Sequence, residues 1–197
     1  ARTLGIGVSH DIGLVNEKKG IAADPAWKQE RYGQKWTGGD TVNTSIGQGY
    51  MLATPLQLCV MTARIASGTM VEPTLLAKPD MQFKPLDVDE KICEHIRASM
   101  TGVVNKPNGT AYGKRLQNPE HAFAGKTGTS QVRAIKIYGQ KQSQIPWKYR
   151  HHALFVGFAP VIKPKYAVSV VVEHGGGGSA AAAPVARDVL KFLQEMA

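Results

Sequence analysis

Between residues 122 and 173 the chain gives up the period of a helix for the period of a strand, and this change limits the fold more than any other feature. Three strand candidates fall there, residues 122–132, 152–159 and 166–173, the last rich in Val and suited to a pleated, well-buried position. The second and third are separated only by Pro160-Val-Ile-Lys-Pro-Lys165, short enough for a hairpin. About eighteen residues separate the first from the second, long for a structureless connection, so this segment is expected to act or to move. Helical patterns precede the strands and another follows them. The order predicts an α+β fold, an antiparallel sheet flanked by helices.

The helices are marked by their ends. Thr54 reads as an N-cap with Pro55 at the first helical position, and Leu56, Val60, Ala63, Ile65 and Ala66 form an apolar stripe that stops before Gly68. Asp87 and Glu90 read as an Asp-x-x-Glu cap, and Ile92, Ile96, Met100, Val103 and Val104 follow at helical spacing to about Asn105. Lys106-Pro107-Asn108-Gly109 stops that helix. Pro184 is expected to open a last helix with Val185, Val189, Phe192, Leu193 and Met196 on one face. The first fifty residues hold nine glycines and read as a turn-rich connecting region with local order, with Pro25 and Trp27 in a fixed surface loop. The run from His174 through Gly175–178 to Ala183 has the composition of a flexible linker, yet it joins a strand to a helix, where glycine lets two backbones approach closely.

At 197 residues, 43% hydrophobic and 20% charged, the chain can bury an ordinary core as one domain or the larger part of one. No apolar run of membrane-spanning length is present. Ala1 begins without Met and runs straight into sequence of folded character, so a longer parent with an upstream anchor is expected. The net charge of +9 suits an anionic partner or a substrate carrying carboxylates, but the basic residues are dispersed and accompany no nucleic-acid motif. Nucleic-acid binding is therefore not expected. Cys59 and Cys93 sit on separate helical patterns and read as buried free thiols. His121, His151, His152 and His174 do not form a ligand set, because adjacent His151 and His152 in a strand point to opposite faces and no acidic or thiol partner has ligand spacing. No metal or cofactor is called for.

One short stretch suggests a specific chemistry. In an edge strand carrying Lys126, Thr127, Gly128 and Thr129, the two Thr side chains project together and Lys126 points the other way. Two hydroxyls on one face can hold a carboxylate. Gly128 lets an extended ligand backbone come close enough to pair as an added strand. The Lys126 ammonium adds positive potential beside the site, and a backbone N–H of the strand suits an oxyanion hole. The basic segment 133–150, with Tyr138, Trp147 and Tyr149, either flanks the groove or is a solvated loop.

Four segments together carry a resemblance: Gly39-Asp-Thr-Val-Asn-Thr-Ser-Ile-Gly-Gln-Gly-Tyr-Met-Leu-Ala-Thr-Pro-Leu-Gln57, Gly102-Val-Val-Asn-Lys-Pro-Asn-Gly-Thr-Ala111, Gly125-Lys-Thr-Gly-Thr-Ser-Gln-Val132 and His152-Ala-Leu-Phe-Val-Gly-Phe-Ala-Pro160. In this order they resemble the C-terminal half of the transpeptidase domain of class B penicillin-binding proteins, nearest to the penicillin-binding protein 2 branch. The resemblance implies that residues 1–197 are the C-terminal portion of one transpeptidase domain, of the fold shared with serine β-lactamases and incomplete at its N-terminal side. It implies a peptidoglycan D,D-transpeptidase that crosslinks the cell wall during elongation and is acylated by β-lactams. By position, Lys126, Thr127, Gly128, Thr129 and Ser130 would bind the substrate, with Lys126 and the Thr129 N–H serving catalysis. Stem peptides and β-lactams are the implied ligands, a glycosyltransferase and the elongation machinery the implied partners, and the periplasmic face of the inner membrane the implied location, through an N-terminal anchor outside this chain.

The chain departs from the family pattern at the nucleophile. None of its eight serines is followed three residues later by Lys, nor two residues later by Asn. Both motifs lie N-terminal to this region in the family, so the chain by itself is expected to be inactive and to present an unpaired sheet edge. A related carboxypeptidase or β-lactamase, and a non-catalytic peptide-binding module, stay open as alternatives.

Overall fold

The computed structural model describes residues 1–76, 81–132 and 144–196. Its centre is a three-stranded antiparallel sheet in the order β1 (Ala124–Ser130), β2 (His152–Ala159), β3 (Tyr166–Val172). Register sorts the side chains. Gly125, Thr127 and Thr129 stand opposite Gly157, Phe155 and Ala153 of β2 on one face, while Ala124, Lys126 and Gly128 stand opposite Phe158, Val156 and Leu154 on the other. The first face is covered by α5 (Gly178–Glu195), the second by α3 (Pro55–Ser67) and α4 (Glu90–Asn105), with α3 over β3 and α4 over β1. Each face has its own core. Phe123 and Phe155 pack edge to face beneath Ala182, Ala183, Ala186 and Leu190 of α5, and Ala124 and Phe158 meet Ile65, Ala66 and Met100 of the other helices.

The strands and the middle helices follow the sequence pattern. β2 has the expected bounds, β1 is shorter by two residues at each end and β3 by one residue, and α3 ends where Gly68 adopts a left-handed conformation. Thr54 caps α3 as expected, and Gln57 completes the box by accepting from the Thr54 N–H. The cap of α4 is Asp89, not Asp87, because its carboxylate lies 2.9 Å from the Lys91 N–H. Cys59 on α3 and Cys93 on α4 are both free, and burial pushes both thiols up.

Three further expectations fail. The first fifty residues are not only a connection: they contain α1 (Pro25–Tyr32), so Pro25 and Trp27 open a helix, and α2 (Gly38–Ser45), which begins on two glycines. Capping overrides composition there. Asp24 accepts from the Trp27 N–H, and Thr37 with Asp40 forms a reciprocal capping box. The last helix does not begin at Pro184, which lies inside it; the alanine run before Pro184 is helical because alanine is the strongest helix former. Its apolar stripe is not the buried one either. Of the expected stripe Leu193 is half-buried and Val185, Val189, Phe192 and Met196 are exposed, while the small side chains Ala182, Ala183 and Ala186, with Leu190, face the sheet and let the helix lie close to it. No helix among the described residues is long and apolar enough to cross a membrane.

Candidate functional site

Strand β1 pairs with β2 along one edge, and among the described residues its other edge has no strand partner. The Lys-Thr-Gly-Thr sequence thus lies on a sheet border, where an extended ligand has free backbone groups to pair with. Thr127 is half-buried, while Lys126, Thr129 and Ser130 are exposed. Thr127 and Thr129 share one face of the strand and Lys126 takes the opposite one. The Lys126 side chain folds along the strand, its Nζ donating to the Thr127 carbonyl at 2.8 Å. An ammonium held there sits at the border itself and raises the potential seen by an incoming anion.

The strand is held from both faces. On the α5 side, the helix begins so close to the sheet that a Cβ on Gly178 would stand 2.3 Å from the Leu154 carbonyl oxygen and 2.6 Å from that of Gly128. Only glycine fits. The linker-like composition of this segment is therefore the composition that a helix start laid flat on two strands requires. Gly176 N–H donates to the His151 carbonyl, and Gly175 N–H to that of Val172. On the other side, α4 runs behind β1, and Asn105 Nδ2 donates to the Phe123 carbonyl at 2.9 Å, fastening the helix end to the entry of the strand.

At the far end of β1, Ser130 stands opposite His152, and the Val132 N–H donates to His151 Nδ1 at 3.3 Å. His152 Nδ1 accepts from the His174 N–H, and the His174 ring lies between those of Trp147 and His152, with centroids 4.3 and 4.7 Å away. These rings pack on one another and on backbone. Among the described residues no group of three His, Cys, Asp or Glu side chains has the geometry of a metal site. Of the segment 133–150, read either as flanking the groove or as a solvated loop, residues 133–143, with Tyr138, lie outside the described residues; Trp147 and Tyr149 lie in a short 3-10 turn, with Trp147 against His174.

The structure adds a residue that the sequence did not bring to the strand. Thr110 Oγ1 lies 3.2 Å from Thr127 Oγ1. In the sequence it stands near the end of one of the four segments that carry the resemblance, but a place in a segment holds no distance information across seventeen residues.

Residues 1–191 match the family model described as the penicillin-binding protein transpeptidase domain. The chain belongs to this family. Among curated relatives, the peptidoglycan D,D-transpeptidase MrdA of Salmonella typhimurium strain LT2 is 35% identical over 205 residues, which cover 96% of this chain and 32% of that protein. MrdA of Acinetobacter baumannii is 36% identical over 208 residues, 97% of this chain and 30% of that protein. The chain spans about a third of the length of these relatives. Among solved structures, the penicillin-binding protein PBP2 of Helicobacter pylori in complex with MreC aligns with a TM-score of 0.86 at 35% identity, over 99% of this chain and 35% of that one. PBP2 of Pseudomonas aeruginosa in complex with WCK 5153 aligns with a TM-score of 0.81 at 33% identity, over 98% and 42%. The sheet and the helices on its two faces are thus part of a penicillin-binding transpeptidase fold.

Proposed function

We propose that this chain is the C-terminal portion of the transpeptidase domain of a peptidoglycan D,D-transpeptidase that crosslinks the wall during elongation, and that β1 is its substrate strand. The observation that supports this best is the position of Lys-Thr-Gly-Thr on a sheet border, hydroxyls together on one face, in a chain matched to the family over nearly its whole length. In this reading Thr127 and Thr129 hold the terminal carboxylate of a stem peptide or of a β-lactam, with Lys126 supplying positive potential. Gly128 and Ser130 line the path of the ligand backbone. A serine from polypeptide upstream of Ala1 attacks the penultimate D-Ala carbonyl, and the Thr129 N–H donates to the oxyanion that forms. The terminal D-Ala leaves, and the acyl group passes from the serine to an amine of a neighbouring stem peptide. A β-lactam opens on the same serine and stays attached.

The parent would be anchored upstream and face the periplasm. Its partners would be a glycosyltransferase and the elongation machinery, a reading supported by the complex of the Helicobacter pylori relative with MreC. The test is covalent labelling with a fluorescent penicillin. The full-length protein is expected to carry the label on a serine upstream of Ala1, and Lys126→Ala in that protein to slow acylation about 100-fold. Residues 1–197 alone are expected to take no label, and mass spectrometry locating an acyl group on any of their serines overturns the assignment.

A further inference from the structure

We propose that Thr110 is a positioning residue for the substrate strand, its hydroxyl donating to Thr127 Oγ1 and thereby directing the Thr127 O–H at the ligand carboxylate. The inference rests on the transpeptidase reading above and deepens it. The two hydroxyl oxygens are 3.2 Å apart, and by itself the pair has no fixed direction, since either oxygen can donate. The ligand sets the direction. A carboxylate only accepts, so Thr127 must donate outward to it, and the hydrogen bond between the two threonines then runs from Thr110 to Thr127. A donor chain ending on an anion polarises along its length, so the outer hydrogen bond is stronger for having the inner one behind it.

The turn that carries Thr110 is built to hold it still. Gly109 N–H donates to the Lys106 carbonyl at 2.8 Å, and Ala111 N–H to the Val103 carbonyl at 3.0 Å. Gly109 is pressed onto the end of α4, where a Cβ would stand 2.2 Å from the Val103 oxygen and 2.5 Å from the Gly102 oxygen. Ala111, the next residue but one, has no exposed surface and packs with Phe123 and Phe155 in the core under α5. Thr110 itself is exposed, between two anchored neighbours. Asn105 on the same helix end donates to the Phe123 carbonyl at the entry of β1, so turn and strand share one frame. A threonine fixed in this way loses little freedom when its partner binds an anion.

The test uses the full-length protein and the second-order rate of acylation by benzylpenicillin and by its methyl ester, which lacks the anionic carboxylate. Thr110→Val, which keeps the shape and removes the hydroxyl, is expected to slow acylation by benzylpenicillin about tenfold and to leave the ester within about twofold. Thr110→Ser is expected to restore the rate, and Thr110→Ala to behave as Thr110→Val does. In the Thr127→Val background, Thr110→Val is expected to have no further effect. An unchanged rate with benzylpenicillin in Thr110→Val, or an equal loss for acid and ester, overturns the inference and leaves the transpeptidase reading standing. Failure of the unaltered full-length protein to be acylated by benzylpenicillin overturns both.

Discussion

A glutamine side chain with no exposed surface must find partners for all of its polar atoms inside the protein. Gln57 does: its Oε1 accepts from the Thr54 N–H, and its Nε2 donates to the Val8 and Lys19 carbonyls, each at 2.7 Å. One residue thus caps α3 and ties two segments of the turn-rich N-terminal region to it. Gln57→Leu would leave two carbonyls and an N–H unpaired, and is expected to cost about 3 kcal/mol of stability in urea unfolding. Asp40 makes a second such link. The Lys28 ammonium 2.6 Å away, then the Thr37 hydroxyl and N–H, hold its carboxyl down to about 2. A depressed folded pKa gives stability that is complete above the unfolded value near 4 and is lost as pH falls through the folded one. The advantage of the unaltered chain over Asp40→Asn in denaturant unfolding is therefore expected to be full at pH 5 and to shrink toward pH 2. Neither link was legible beforehand. Thr54 was readable as a cap because that rule is local, but the partners of Gln57 lie 38 and 49 residues away, and sequence spacing carries no information at that range.

Helix α5 separates what a helical period can report from what it cannot. The pattern finds the helix and its apolar content, but two stripes share this helix, one of branched and aromatic side chains and one of alanines, and size alone suggests that the larger is buried. The sheet selects the smaller, because Gly178 must touch the backbones of β1 and β2 and the residues one and two turns on must then be small. Leu190, with no exposed surface, and Phe192, 60% exposed, give opposite expectations for one helix. In residues 1–197, Leu190→Ala is expected to cost about 3 kcal/mol and Phe192→Ala less than about 0.5 kcal/mol, measured by thermal unfolding. The reverse order would mean that the helix is turned about its axis. The strands were easier, since a period of two with Val and aromatic residues has few other readings. The signals of α1 and α2 lie at their starts, Asp24 with Pro25 and the Thr37–Asp40 box, and in α2 the glycines at 38 and 39 outweigh the box in any reading by composition. At the candidate site the four residues of the strand were legible as a motif, whereas the turn that brings Thr110 to them was not.

At the scale of the molecule, the sheet explains why the chain carries so much uncovered apolar surface. Among the described residues β3 pairs only with β2, so one border of the sheet is the valine-rich strand Tyr166–Val172. On α5, which packs on that strand, the exposed stripe runs through Val185, Val189, Phe192 and Met196. An open strand edge with apolar side chains is a template for a further strand, and exposed aliphatic groups nearby favour whatever covers them. Two copies of residues 1–197 can satisfy both demands on each other. The isolated chain is therefore expected to associate as its concentration rises, and sedimentation velocity over a concentration series measures this. Val171, 37% exposed on β3, offers the means to separate the strand from the helix. Val171→Lys puts an ammonium on the open border, where a second strand would have to bury it. It is expected to lower association while leaving the circular dichroism spectrum unchanged. Association that Val171→Lys leaves intact and Phe192→Ser abolishes would assign the contact to the helix instead of the sheet border.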